Sequence, residues 1–113
     1  DSVEKAYLDA TDKRILVLPA GGSHRKPLLN KPEPLFVIFP DSGSTNWIVS
    51  GVSLDKATFA VRKKFPENWR GKKGDDFISV SGDVGASFCH NNGHMVVATS
   101  FESAMSLTQK ALG

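Results

Sequence analysis

Five consecutive apolar residues, Leu35-Phe36-Val37-Ile38-Phe39, lie between Pro34 and Pro40. The run is rich in β-branched and aromatic side chains and apolar at both alternating sets of positions, so it reads as a strand covered on both faces, at the centre of a sheet. It is also the longest unbroken apolar run in the 113 residues. A bilayer span needs about 20 such residues, so no membrane partner is expected. Pro40-Asp41-Ser42-Gly43-Ser44 then supplies a turn, and Trp47-Ile48-Val49 with Val52 supplies an antiparallel neighbour.

The remaining elements follow from periodicity. Val3, Ala6, Tyr7 and Ala10 recur at helical spacing, so residues 3–12 are expected to form a short amphipathic helix. Ile15-Leu16-Val17-Leu18 reads as a strand, ended by Pro19-Ala20-Gly21-Gly22-Ser23. With Pro27, Pro32 and Pro34, the stretch from His24 reads as an irregular connection with an extended patch at Leu28-Leu29. Phe59, Val61 and Phe65 alternate in part. Pro66 to Gly71 reads as a loop around Trp69, and Asp75 to Val80 as one or two helical turns. Ala86–Cys89 and Met95–Ala98 are expected strands flanking His90-Asn91-Asn92-Gly93-His94. Thr99-Ser100-Phe101-Glu102 fits a capping box with Thr99 as the cap, followed by a helix through Phe101, Ala104, Met105, Thr108, Ala111 and Leu112. The sum is one α/β domain over residues 1–113, layered in the α+β manner, with a mixed sheet of about five strands flanked by two or three helices.

Charge excludes some function classes. Fourteen Lys and Arg against 12 Asp and Glu leave a net charge of +2, well short of a histone-like or polybasic binder. One cysteine, Cys89, precludes an internal disulfide framework and any multi-cysteine zinc site. No phosphate-binding Gly-rich loop, dinucleotide fingerprint, H-E-x-x-H or EF-hand pattern is present.

Three groups of residues carry chemistry. Cys89, His90 and His94 suggest a thiol nucleophile with an imidazole base, but neighbours on a strand point to opposite faces and Cys89 sits in apolar context. A buried, inert thiol is the simpler reading. His90 and His94 bracket Asn91-Asn92-Gly93, a sharp turn that either merely exposes two histidines or, with the final helix's N-terminus behind it, forms a corner for an anion. Arg62, Lys63, Lys64, Arg70, Lys72 and Lys73 surround Trp69 with only Glu67 against them. Basic side chains around an aromatic ring suit a single-stranded nucleic acid, although a solvated loop with Trp69 plugging the core has the same composition. A second basic spot is His24-Arg25-Lys26.

From Pro66 onward the chain resembles one family. Pro66 with Trp69-Arg70-Gly71, Asp75-Asp76, Ser81-Gly82 with Gly85, Phe88 with His90, Gly93, and Glu102 with Ala104 follow the order and spacing found in the C-terminal part of the melanocyte proliferating gene family, metal-dependent nucleases related to DHH-type phosphoesterases. Arg14 to Leu18 and Phe36-Val37 to Trp47 are similar to that family more loosely. Gly93-His94-x-x-Val97-Ala98 looks like the G-H-x-x-A-A signature of the nucleotide-binding C-terminal domain of many DHH-type enzymes. Where the family carries Gly-Gly after the turn this chain has Val96-Val97, and where it carries Trp-Lys-x-His this chain has His24-Arg25-Lys26-Pro27.

The resemblance implies the substrate-binding part of a two-domain, metal-dependent 3′–5′ exonuclease or phosphodiesterase. Nucleic acid or a nucleotide would be held by Arg70, His90, Asn92, Gly93 and His94 and steered by Lys72 and Lys73. No catalytic residue, cofactor or metal ligand is then expected in this chain. A divalent ion, Mn or Mg, would sit in an N-terminal catalytic domain that is the partner of this one, and a homodimer is allowed. The opening Asp1, without an initiator Met, fits such a fragment. An intracellular location, in mitochondrion or nucleus, is implied by the family. The alternative is a free-standing RNA- or protein-binding module that presents Arg62 to Lys73 without catalysis.

Overall fold

A computed structural model describes residues 2–21, 25–54 and 60–113. Phe59, His24 and the Gly22-Ser23 part of the first turn lie outside these, as do the side chains of Arg25 and Lys26. Five strands form one sheet: β1 (Ile15–Val17), β2 (Phe36–Pro40), β3 (Trp47–Gly51), β4 (Ala86–Cys89) and β5 (Met95–Ala98), in spatial order β1-β2-β3-β5-β4. Only β1 and β2 run parallel; every other pair is antiparallel. The sheet is therefore mixed and five-stranded, with the Leu35–Phe39 run inside it as expected.

Among the described residues four α-helices complete the fold: α1 (Ser2–Asp9), α2 (Arg25–Leu29), α3 (Gly74–Ser81) and α4 (Phe101–Leu112). On one face α3 and α4 enclose Phe36, Ile38, Val49, Phe65, Trp69, Phe77, Val96 and Leu107. Aromatic rings make a continuous chain there, Phe36 to Phe65 at 4.8 Å, Phe65 to Trp69 at 6.0 Å and Trp69 to Phe77 at 5.6 Å. Each such buried ring contributes roughly 2–3 kcal/mol, which pins the loop carrying Trp69 to the core. Trp69 is 4% exposed, so it is the plug and not an exposed stacking ring. On the other face α1 and α2 cover only the β1 side, through Val3, Ala6, Leu16, Leu28 and Val37.

Two local expectations change. Leu28-Leu29 is not extended but ends α2. A parallel β1–β2 pair demands a crossover connection, and a helical turn there lets Leu28 reach the cluster of Val3, Leu16 and Val37. Pro27 is tolerated because it stands in the first turn, where its missing N–H has no helical partner to lose. The cap of α4 is Ser100, not Thr99: the Ser100 hydroxyl accepts from the Ser103 N–H at 3.1 Å. Thr99 is still held by the sheet, its N–H donating to the Gly85 carbonyl at 2.9 Å, so Ser100 is the first hydroxyl free to cap.

Candidate nucleic-acid interface at the hairpin tip

Strands β4 and β5 meet in a tight turn at His90–His94. Gly93 closes it with φ of 73°, and its N–H donates to the His90 carbonyl at 2.9 Å. Asn92 organises the inside of the turn. Its Oδ1 accepts from the His94 N–H at 3.1 Å and lies 2.7 Å from Nδ1 of His90. The Asn92 N–H also points at Nδ1, at 3.3 Å, so this ring nitrogen is engaged inside the turn and Nε2 is the ring's other polar atom.

The loop before α3 is laced to this turn. Phe65 donates its N–H to the Gly93 carbonyl at 2.9 Å, and Arg70 Nε donates to the Phe65 carbonyl at 3.1 Å. The Arg70 side chain crosses Gly93 so closely that a Cβ there would lie 2.6 Å from Nε. Gly93 thus serves both the turn and the arginine. Beyond Arg70, Gly71 donates to the Cys89 carbonyl and Cys89 to the Lys72 carbonyl, and Lys73 pairs with Phe88. Residues 71–73 in effect extend the sheet past β4.

Arg70, His90, Asn92, Gly93 and His94 therefore converge on one tip, as the motif spacing implies. Lys64, which the sequence places only in the basic stretch around Trp69, joins them because its neighbour Phe65 is hydrogen-bonded to Gly93. Burial holds His94 below the ordinary imidazole range, and the positive charges of Lys64, His90 and Arg70 push it the same way. Among the described residues no carboxylate forms an ion pair with any of these basic side chains. Lys64 and Arg70, positive beside two imidazoles and with no paired carboxylate among the described residues, favour an incoming anion.

Two expectations about the site do not survive, the helix N-terminus behind the turn and an outward Arg62. The N-terminus of α4 is not behind this corner. Ser100 lies at the far end of β5, six residues from His94, and a strand rises about 3.3 Å per residue. Lys72 and Lys73, expected to steer phosphates, leave the chain on opposite sides, since consecutive side chains in extended backbone oppose each other and Lys73 takes the face of its partner Phe88. Arg62 is not offered outward either. Its guanidinium donates to the carbonyls of Lys31 at 2.6 Å, Pro34 at 2.8 Å and Leu28 at 3.1 Å, tying off the end of α2.

Cys89 is fully buried, and burial pushes its thiol up to about 11 despite the opposing charge of Arg70. A thiol at that pKa is not a nucleophile at neutral pH, which removes a Cys-His hydrolase. Among the described residues no cluster of three His, Cys, Asp or Glu side chains is arranged to hold a metal. An apolar groove of about 800 Å³ lies elsewhere, at the β1 edge, lined in part by Ala6, Ala10, Val17, Trp47 and Met105. No described helix is long and apolar enough to cross a membrane.

Fold and tip together define a layered α/β domain with a cationic β-hairpin end. The chain belongs to the MYG1 family: the family model MYG1_exonuc, described as an uncharacterised protein family (UPF0160), matches residues 1–112. This is the family to which the Trp69-Arg70-Gly71 and Phe88-x-His90 motifs pointed. The chain is 36% identical over 77 residues to the MYG1 protein of Dictyostelium discoideum, covering 68% of this chain and 23% of that protein. With the MYG1 protein of Schizosaccharomyces pombe it shares 32% identity over 115 residues, covering 96% of this chain and 35% of the relative. The human MYG1 exonuclease is 27% identical over 79% of this chain and 24% of its own length. The chain thus spans between a quarter and about a third of the curated relatives it matches. No solved structure matches it.

Proposed function

We propose that this chain is the nucleic-acid-gripping part of a nuclease whose bond-breaking residues and divalent metal lie in the rest of the protein. Membership in a family that includes a protein named an exonuclease supports the activity class. The observation that carries the reading is the tip itself, where Lys64, Arg70, His90 and His94 gather with no carboxylate paired to them among the described residues. The tip would bind phosphates and position them, a contribution worth several kcal/mol of barrier without a catalytic group on this side. A module displaying Arg62 to Lys73 is less well supported, because Arg62 holds backbone carbonyls and Trp69 is inside the core.

Titration of a single-stranded oligonucleotide at increasing salt tests this. Binding should weaken as salt rises, and Arg70→Ala should cost about three- to tenfold and flatten the salt slope by about 0.7. Binding that ignores both salt and Arg70 would refute it. Added Mn²⁺ should produce no phosphodiesterase turnover in this chain, and robust turnover would assign the chemistry here instead.

A further inference from the structure

Burial alternates along the three strands at the β4 side of the sheet. Val49, Val96, Ala98, Ala86 and Cys89 are buried beneath α3 and α4. Ile48, Ser50, Met95, Val97 and Phe88 are only half-buried, on the face where no described helix packs over β3, β5 and β4. Strand register sets these residues in rows. Phe39, Ile48, Val97 and Phe88 stand opposite one another across four strands, and Ser50 and Met95 form the next row. His90 extends that second row, since its N–H donates to the Met95 carbonyl at 2.9 Å.

Where the rows reach the outer strand, the composition changes from aliphatic to aromatic and basic. The rings of Phe88 and His90 lie 6.4 Å apart, edge to face at 81°. Lys73 stands opposite Phe88 on the same face, with no ion-pair partner among the described residues. Asp75 and Asp76 belong to α3, which packs on the other side of the sheet through Phe77. His90 is itself the first residue of the basic tip. An aromatic surface with a basic rim, continuous with a phosphate-binding corner, complements a ligand that has flat apolar faces and a polyanionic backbone.

We propose that Phe88, His90 and Lys73 form a stacking platform for an unpaired nucleobase of a single strand whose phosphates occupy the hairpin tip. The platform rests on the phosphate-binding reading above and adds what the tip alone lacks, a means of sensing bases. Duplexes are poor ligands for it, because their base faces are already stacked. The partner is a nucleic acid and not an apolar protein surface because the half-buried strip ends at the charged Lys73 and runs into the basic tip, which an apolar face would leave unpaired.

The test compares binding of an oligothymidylate with that of an abasic oligomer of equal length, using the whole chain and fluorescence anisotropy. The natural chain should prefer the base-bearing strand by about fivefold or more, the worth of one stacked base. Phe88→Ala should abolish that preference while leaving the abasic affinity in place, and Phe88→Tyr should restore it. Circular dichroism reports whether each variant folds; if Phe88→Ala does not, Phe88→Leu keeps the bulk and removes the π face. Equal binding of both oligomers by the natural chain overturns the platform and leaves the phosphate corner standing. Failure to bind either one overturns both. A Phe88-dependent dimer in sedimentation, without base preference, would assign the face to a second copy and also overturn it.

Discussion

The β4–β5 hairpin has two ends, and they are built for opposite purposes. At the Gly85–Thr99 end the buried carboxylate of Asp83 and the ammonium of Lys110 both have partners. Burial would raise the Asp83 carboxyl, but the Gly85 N–H, the hydroxyls of Ser106 and Ser103 and the charge of Lys110 outweigh it and hold it below the usual range. Gly85 sits so close to α4 that a Cβ would lie 1.9 Å from Ser103 Oγ and 2.4 Å from its Cβ. At the His90–His94 end the backbone is equally well bonded, yet the cations facing it are left without counter-charges among the described residues. One end holds the helix to the sheet; the other keeps its charge for something outside. A hairpin anchored at its far end can carry a repulsive cluster at its tip without coming apart.

Substitutions at the two ends should separate these roles. Gly85→Ala carries the largest effect. Backbone on both sides of the clash is fixed, so several kcal/mol of stability should be lost, read as a denaturant midpoint shift, with oligonucleotide affinity unchanged in whatever fraction folds. Wild-type-like stability would mean that α4 is free to move off the sheet. Gly93→Ala should cost less, about 1–2 kcal/mol, because its φ of 73° strains any other residue while the clashing Arg70 can shift. Here oligonucleotide binding should fall as well, since the arginine moves; unchanged affinity would detach Arg70 from the site.

The smallest effect belongs to His94. Its folded-state pKa is depressed, so the unfolded chain binds more protons below the ordinary imidazole value. The stability linked to this group is present above about pH 6.5 and lost as pH falls through the depressed value. The melting temperature should therefore drop modestly between about pH 7.5 and pH 5, less so in His94→Gln, and less again when a polyanion is bound. A drop that His94→Gln leaves intact would place the titrating group at another residue.

Much of the layout was legible along the chain because it is written in local periods. The apolar run at Leu35–Phe39 became an inner strand, Val3 and Ala6 became the buried stripe of α1, and Cys89 with His90 split to opposite sides as strand geometry requires. Misreadings occurred where a distant partner overrode a local preference. Thr99 looked like a cap until the Gly85 carbonyl claimed its N–H, and Leu28 looked extended until a hydrophobic cluster drew it into a helix.

For the site itself, residue order determined that a Gly turn between two imidazoles would exist and that Arg70, next to a core tryptophan, would accompany it in the family's pattern. Tertiary structure alone decided which positive charges face that turn. Arg62 and Arg70 have the same chemistry eight positions apart, yet one closes off the end of a helix and the other lies across Gly93. Nothing local separates them, because their roles depend on carbonyls and backbones brought near only when the sheet assembles.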